Sequence, residues 1–236
     1  DPIMTDNIVN DAEKTAVVIS GTSNAEDGQV VALTIGSTPI NASATVAGGV
    51  WTATVDISAL ADGNIDITAD VSDLAGNPAT QATKTVTKNA ALPTLVIDDF
   101  LMTDDIVNDA EKSAVVISGT SNAEDGQAVT LRITDGASPL TVNPTVTGGI
   151  WTATADISGM ADGNIDISAD VTNQIGNAAT QATRTLVKDI LAPILGIDAT
   201  LMTDNIVNDA EKTAVVISGT SNAENSETVS LTITDG

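Results

Sequence analysis

The chain of 236 residues contains no cysteine, no histidine and no tyrosine, and its aromatic side chains are limited to two tryptophans and one phenylalanine. Without cysteine or histidine there is no disulfide framework, no thiolate nucleophile and no Ser-His-Asp triad. Zinc and haem sites built from the usual thiolate or imidazole ligands are excluded for the same reason. Only carboxylate chemistry remains available for catalysis or metal binding.

Basic residues are scarce as well. Eight lysines and arginines stand against 32 aspartates and glutamates, which gives a formal net charge of −24. Such a surface repels nucleic-acid phosphates and anionic lipids, so a nucleic-acid partner is not expected. Apolar residues nevertheless make up 42% of the chain, more than a disordered acidic tail carries. The composition is therefore that of an acidic folded protein.

Long hydrophobic runs are absent too. No stretch approaches the roughly 18 consecutive apolar residues that cross a bilayer. The first residues, Asp1 to Met4, carry neither the basic region nor the apolar region of a signal peptide. We therefore expect no membrane insertion by this chain.

What the chain has instead is an internal repeat. The run DNIVNDAEK at 6–14 returns as DDIVNDAEK at 104–112 and as DNIVNDAEK at 204–212, with offsets of 98 and 100 residues. A period near 100 residues matches a whole small domain and is too long for a solenoid repeat. The third copy reaches only residue 236, so we expect a slice of a longer array. The predicted domains are 1–91, 92–191 and an incomplete third repeat, 192–236.

Each repeat is predicted to be all-β. Short β-branched runs such as 16–21, 30–35 and 50–57 are separated by turn residues. In 64–71 apolar and polar residues alternate, which places Ile65 and Ile67 on a buried face. About seven strands in about 100 residues are typical of an immunoglobulin-like β-sandwich. The alternative with this number of strands is a small barrel.

Two local predictions accompany that fold. A single helical turn is expected at 10–14, where Asn10 would cap the turn and Glu13 would reach back to it. Trp51 and Trp151 each follow a Gly-Gly pair and begin a Thr-Ala-Thr alternation, and we expect both to pack in a core. One tryptophan per repeat does not provide the row of exposed rings that a carbohydrate-binding module needs.

The acidic residues gather in loops. In a sandwich of this type, the loops 5–14 and 59–64 lie at the end where the linker to the next repeat leaves. Their oxygen-bearing side chains are Asp6, Asn7, Asn10, Asp11, Glu13 and Asp62. The opposite end carries Glu26, Asp27, Asp70, Asp73 and Asn77. Acidic loops are therefore expected to meet at each junction between repeats.

Like charge concentrated at a joint is unfavourable unless a cation neutralises it. Asp and Asn oxygens together with backbone carbonyls are the usual ligands of calcium, whereas magnesium demands a stricter octahedron. The alternative interpretation is that these are solubilising acids that also discourage edge-to-edge strand pairing. For the mid-strand Asp66 and Asp166 we favour that alternative. No catalytic site is predicted, because the acids are spread over loops and no concave pocket is implied.

At the level of motifs, the chain resembles the bacterial immunoglobulin-like extender repeats of giant secreted adhesins that carry RTX segments and leave the cell by type I secretion. The resemblance covers both full repeats and the partial third. It rests on four motifs: the Asp-Asn-Ile-Val-Asn-x-Ala-Glu loop, the strand and turn at 20–28, the Gly-x-Trp strand at 49–51, and the Asp-x-x-Gly-Asn turn at 73–77. A linker ending in Ala192-Pro193 follows.

The resemblance implies calcium ions in loops and at domain junctions. By position it points to Asp6, Asn10, Glu13, Asp73 and Asn77 in the first repeat. With their neighbours and counterparts, the expected metal-binding residues are Asp6, Asn7, Asn10, Glu13, Asp62, Asp73, Asn77, Asp104, Asp105, Asn108, Glu111, Asp162 and Asp189. Two positions depart from the family pattern. Ile65 and Ile165 replace a common aromatic, and Asn89 stands where Asp189 keeps an acid, which predicts a weaker ion site at the first junction.

The function that this resemblance implies is a non-catalytic, calcium-rigidified spacer of a bacterial cell-surface adhesin, located outside the cell. Its expected partners are calcium ions and the neighbouring repeats of the same chain. Two alternatives stay open. One repeat could recognise a surface polysaccharide or protein through its acidic loops, or the chain could belong to a self-assembling surface layer or filament. The near-identity of the repeats favours the spacer.

Overall fold

The computed structural model describes residues 3–137 and 139–234, and the chain divides into two compact units, 1–188 and 189–236. All the regular elements of the described residues are β-strands. None of these residues forms a helix long and apolar enough to cross a bilayer. The larger unit contains the first two sequence repeats, each folded around a hydrophobic core of its own.

The first repeat consists of seven strands in two sheets. Their bounds are β1 Ile8–Val9, β2 Val17–Thr22, β3 Val30–Ile35, β4 Ile40–Thr45, β5 Val50–Val55, β6 Gly63–Asp70 and β7 Ala82–Lys88. One sheet has the order β1-β7-β6-β3-β4, and β2 pairs with β5 in the other. The pairs are antiparallel except β1 with β7, which is parallel.

The second repeat contains the same strands and one more. Its strands are β8 Leu95–Ile97, β9 Ile106–Val107, β10 Val115–Ser121, β11 Val129–Thr134, β12 Leu140–Val142, β13 Ile150–Ala155, β14 Gly163–Val171 and β15 Ala182–Lys188. The larger sheet has the order β12-β11-β14-β15-β9, and the smaller sheet has the order β13-β10-β8. The additional strand, β8, comes from the segment that joins the two repeats.

In the smaller unit, β16 Leu195–Ile197 pairs with β17 Gly219–Ser221 in an antiparallel ladder. This pair corresponds to β8 and β10 of the second repeat. Apolar side chains that are buried in the second repeat have exposed counterparts in this unit, for example Val215, Leu231 and Ile233. The described part of the third repeat therefore lacks a closed core.

Alternating side chains build the two cores. Ile65 and Ile67 on β6 and Ile165 and Ile167 on β14 all face inward and are at most 4% exposed. The predicted sandwich is confirmed over the barrel, because each repeat has two separate sheets with open edges. The packing of both tryptophans in the cores is confirmed as well, since Trp51 is 9% exposed and Trp151 only 1%.

The turn at 10–14 has the predicted cap. The Asn10 side-chain oxygen accepts the backbone N–H of Glu13 at 3.1 Å, and Glu13 Oε2 accepts the N–H of Asn10 at 3.0 Å. The N–H of Lys14 reaches the Asn10 carbonyl at 3.1 Å and closes one helix-like turn. In the second repeat Glu111 Oε2 accepts the N–H of Asn108 at 3.1 Å, and Asn108 Oδ1 accepts the N–H of Ala110 at 2.9 Å. The chain turns once here and does not form a helix.

Candidate functional site at the junction of the two repeats

The linker that leaves β7 is held from both of the repeats that it joins. From its own repeat, Asp62 Oδ2 accepts the N–H of Ala90 at 2.9 Å. From the next repeat, Asn177 donates its side-chain amide to the carbonyl of Asn89 at 2.9 Å and to that of Ala91 at 3.0 Å. These bonds fix the backbone of residues 89–91 in one conformation.

The same asparagine also binds the capped loop of the first repeat. Its Oδ1 accepts the N–H of Asp11 at 2.6 Å, and Asn10 donates to the carbonyl of Ile175 at 3.1 Å. Asn177 is only 1% exposed, so its side chain is almost fully withdrawn from water. Since both amide hydrogens and the amide oxygen have partners, this burial leaves no hydrogen-bonding group of the side chain unsatisfied.

A tight turn presents Asn177 to the junction. Asn173 Oδ1 accepts the N–H of Asn177 at 2.8 Å, and the N–H of Asn173 binds the Asn177 carbonyl at 3.0 Å. Gly176 lies inside this turn at φ +86°, in the left-handed region that glycine adopts without strain. The turn thus points the amide of Asn177 outward from the end of its sandwich.

The equivalent turn in the first repeat is largely exposed and has the same internal hydrogen bonds. Asn77 is exposed, and it donates its side-chain amide to Asp73 Oδ2 at 2.8 Å. The backbone N–H of Asn77 binds Asp73 Oδ1. These hydrogen bonds from Asn77 lower the pKa of the Asp73 carboxyl below its ordinary value. The two turns thus share the motif and its internal hydrogen bonds.

Two buried lysines lie at the linker end of the sandwiches, and sequence analysis missed them. Lys88 donates to the Leu60 carbonyl and to Asp62 Oδ1, both at 2.8 Å, and Lys188 binds Met160 and Asp162 in the same way. The hydrogen bond from Lys88 is the main cause of a lowered pKa for Asp62. A signal for this was present, because Lys88 falls on the same face of β7 as the buried Val86.

Most of the predicted metal-binding residues hold the backbone of separate turns. Asp6, Asp104 and Asp189 each accept a backbone N–H two residues further along the chain. Asn7 and Asp105 lie in the left-handed region, at φ 63° and 62°, and each accepts the N–H of the residue four positions earlier. Asp105 also forms an ion pair with Arg184.

Other predicted residues come together in pairs. Asn10 contacts Glu13, Asn108 contacts Glu111, and Asp73 contacts Asn77. Asp62 and Asp162 pair with the buried lysines. Within 3–137 and 139–234, no three acidic side chains form a group that could hold a metal ion. Two predicted residues take part in the junction separately: Asn10 donates to the Ile175 carbonyl of the next repeat, and Asp62 accepts the linker N–H of Ala90.

The donor atoms at this junction suit a hard cation. Asp11 and Asp62 carry carboxylates, and Asn89 has a backbone carbonyl; oxygen is the ligand atom that calcium takes in proteins. Each of the two carboxylates already has a cationic partner, Lys14 for Asp11 and Lys88 for Asp62. The residues therefore match calcium in ligand type, while the lysines supply part of the positive charge.

Comparison with known proteins agrees with this architecture. The model of the bacterial Ig-like domain family matches residues 3–87. The first repeat is a bacterial Ig-like domain. The second repeat, which the match does not cover, shares the sequence motifs and the sheet order of the first. The resemblance to the bacterial Ig-like repeats of adhesins is thereby confirmed.

Two solved structures are similar to this chain. The first, described as a Ca2+-stabilized adhesin that helps an Antarctic bacterium reach out and bind ice, is 27% identical with a TM-score of 0.53. The alignment covers 94% of this chain and 56% of that structure, so the chain spans little more than half its length. The second, from a 1.5-MDa bacterial ice-binding adhesin, is 23% identical with a TM-score of 0.50, and the alignment covers 94% of this chain and 74% of that one. A search of the curated proteins finds no match.

Proposed function

We propose that this chain is a non-catalytic spacer of a bacterial cell-surface adhesin, in which consecutive Ig-like repeats are locked to each other and hold a distal binding region away from the cell. The observation that carries the proposal is the junction around Asn177. Its side-chain amide binds the linker and the preceding repeat at the same time. It therefore restrains both the linker backbone and the orientation of the first repeat at this joint. A spacer requires such joints, because a freely jointed string of domains does not keep its ends apart.

The repetition of the sequence supports the same function. Near-identical repeats provide length without adding new binding surfaces, whereas a recognition domain is expected to differ from its neighbours. The groups that form the joint are part of the repeated sequence. Asn10 and Asp11 recur as Asn108 and Asp109, and Asn177 as Asn77. Each repeat therefore carries the asparagine that binds the preceding repeat and the loop that binds the following one.

Calcium is the second part of the proposal. One similar structure is described as Ca2+-stabilized, and the junction of this chain offers carboxylate and carbonyl oxygens. A bound calcium ion would supply positive charge to a chain whose formal net charge is −24. Asn10, Asp11, Asp62 and the carbonyl of Asn89 are the groups that would hold it. The hydrogen bonds of Asn177 restrain the linker without an ion.

The decisive experiment compares Asn177→Ala with the matched control Asn77→Ala in the full chain. Residual dipolar couplings of the two Ig-like repeats would be recorded for both variants, in chelator and in millimolar calcium. Because Asn177 bridges the repeats and Asn77 does not, we expect one shared alignment tensor for the wild type and for Asn77→Ala. Asn177→Ala should require two tensors in chelator.

Two results would separate the parts of the proposal. If the wild type requires two independent alignment tensors under all conditions, the joint is flexible, and this result would contradict the spacer function. A wild-type chain that is rigid, but whose couplings and melting temperature do not respond to calcium, would support the spacer function and contradict the calcium proposal. Magnesium at the same concentration controls for general screening of the negative charge.

A further inference from the structure

Three of the four methionines of the chain occupy equivalent positions in the three repeats. They are Met4, Met102 and Met202, each preceded by an isoleucine or leucine and followed by Thr-Asp. The sulfur of each methionine accepts the backbone N–H of the valine 14 residues further along the chain, at 3.4, 3.2 and 3.0 Å respectively. A thioether is only a weak acceptor, so the recurrence of this bond marks a feature that belongs to the repeat.

The backbone at these methionines adopts an uncommon conformation. Met102 has φ 52° and its counterparts have φ 56° and 58°, in the left-handed region that side chains of this size seldom adopt. Two hydrogen bonds hold the loop of the second repeat in this form. The N–H of Asp105 binds the Leu101 carbonyl, and Asp105 Oδ1 accepts the N–H of Leu101, both at 2.9 Å. Leu101 is 1% exposed and anchors the loop in the core, so the loop presents the sulfur of Met102 at one position.

This sulfur continues the hydrogen bonding of strand β8 along the edge of β10. The N–H of Ser121 binds the Gly149 carbonyl on the β13 side, so the N–H of Val116, an odd number of residues away, points to the β8 side. Strand β8 ends at Ile97, and the chain then crosses to β9 in the larger sheet. Met102 lies in this crossing and accepts the Val116 N–H, which the strand does not reach. The methionine thus fastens the crossing to the smaller sheet.

A thioether sulfur in this place is open to oxidation, and its oxidation is incompatible with the bond it makes. The side chain of Met102 is half-buried, so it is not closed off from solvent. A sulfoxide oxygen on the side of Val116 would not fit, because the 3.2 Å between sulfur and nitrogen is one hydrogen-bond length and leaves no room for another atom. On the other side, the added oxygen polarises the sulfur positively and removes its capacity to accept. Either sulfoxide therefore breaks the bond to Val116.

We propose that Met102 and its counterparts Met4 and Met202 are redox-sensitive modification sites, at which oxidation to the sulfoxide by hydrogen peroxide releases the crossing from the edge of the smaller sheet. The peroxide transfers one oxygen atom to the sulfur. An S–O bond forms, the O–O bond breaks, the thioether loses two electrons, and the other peroxide oxygen leaves as water with both protons. Release frees the N–H of Val116 and loosens the anchor of Leu101 in the core. The inference goes beyond the spacer function and does not depend on calcium.

The test treats the full chain with hydrogen peroxide and measures amide hydrogen exchange by NMR at Val116 and at Ile117, whose N–H faces β13. Mass spectrometry of proteolytic fragments identifies which methionines have gained oxygen. Conversion of Met102 to the sulfoxide should accelerate exchange at Val116 about tenfold and leave Ile117 unchanged. Val18, whose N–H binds Met4, gives a second measurement in the first repeat. Treatment with a methionine sulfoxide reductase should restore the original rates.

Met102→Leu and Met160→Leu are the matched variants. Met160 is also half-buried and packs against the same core, and the first repeat has Leu60 at this position. Met102→Leu keeps an apolar side chain but has no acceptor, so Val116 should exchange faster before peroxide is added and should not respond to it. Met160→Leu should respond to peroxide as the wild type does.

Three results would overturn the proposal. The first is complete oxidation of Met102 in the wild type with unchanged exchange at Val116, a result that needs no variant. The second is a peroxide response of Val116 that persists in Met102→Leu, since the response would then come from another methionine. The third is a Met102 that stays reduced while Met160 is fully oxidised.

Discussion

The two Ig-like repeats differ at the edge of their smaller sheet, although their sequences are nearly identical there. In the second repeat β8 covers this edge, and Trp151 beneath it is 1% exposed. In the first repeat the counterpart of β8 would fall before Asp1, so no described strand covers this edge, and Trp51 is 9% exposed. Ser121 and Ala123 are buried, whereas their counterparts Ser23 and Ala25 are not. The segment between repeats is therefore a structural part of the repeat that follows it.

The largest effect is expected when the core tryptophan of each repeat is replaced. Trp151→Ala should lower the free energy of unfolding of the second repeat by about 3–5 kcal/mol, because it empties a well-packed site. Trp51→Ala should cost the first repeat less, since its ring is already partly in contact with solvent. Chemical denaturation followed by NMR signals of each repeat measures both values. Equal losses would show that the covering strand does not tighten the core.

The next effect concerns the two asparagines of the turns. Asn177→Ala should destabilise the junction by about 1–3 kcal/mol, because the linker carbonyls and the Asp11 N–H lose a buried partner. Asn77→Ala should change stability far less, since that side chain is exposed. Hydrogen exchange at Asp11 reports the loss directly. Equal effects of the two substitutions would contradict the assignment of the joint to Asn177.

A smaller effect is expected from changes in strand β8 of the second repeat. Val96→Pro removes a ladder N–H from β8 and should cost the second repeat about 1–2 kcal/mol. Amide exchange at Thr120, whose N–H faces β8, should accelerate, and Trp151 should become more accessible to a fluorescence quencher. Val96→Ala retains the N–H and is the matched control.

The smallest effect is a difference in acid sensitivity. Hydrogen bonds from Asn77 lower the pKa of Asp73, while the second repeat has the neutral Asn173 at this position. A lowered folded pKa gives stabilisation that is complete above the ordinary aspartate value of about 3.9 and is lost as the pH falls through the folded value. Asp73→Asn should therefore flatten the fall in melting temperature of the first repeat in this range. An unchanged acid profile would contradict this.

Sequence reasoning reached the fold because the information for it is local. Alternation in 64–71 placed Ile65 and Ile67 in the core, and the spacing of Asn10 and Glu13 predicted the cap that the structure contains. The parallel pairing of β1 with β7 was not predicted, since a strand of two residues has too short a pattern.

The candidate site was less accessible to the same reasoning. Loops rich in oxygen donors predicted which ends of the repeats meet, and Asn10 does contact the next repeat. The partner of Asp11, however, is Asn177, 166 residues further along the chain, and no local pattern links the two. Calcium binding by the predicted residues stays a prediction. Many of their oxygens accept backbone N–H groups in turns, a function that composition alone does not distinguish from metal binding.

The linker between the repeats also sets how a mechanical load passes along the chain. Residues 89–91 are clamped by Asn177, and a few residues later the chain enters the sheet as β8. The ladder bonds of an antiparallel pair lie perpendicular to the strands. A pull along β8 thus loads all of its bonds to β10 together, in shear, instead of opening them one at a time. Tension that enters the second repeat through the linker is therefore first resisted by the whole β8–β10 ladder.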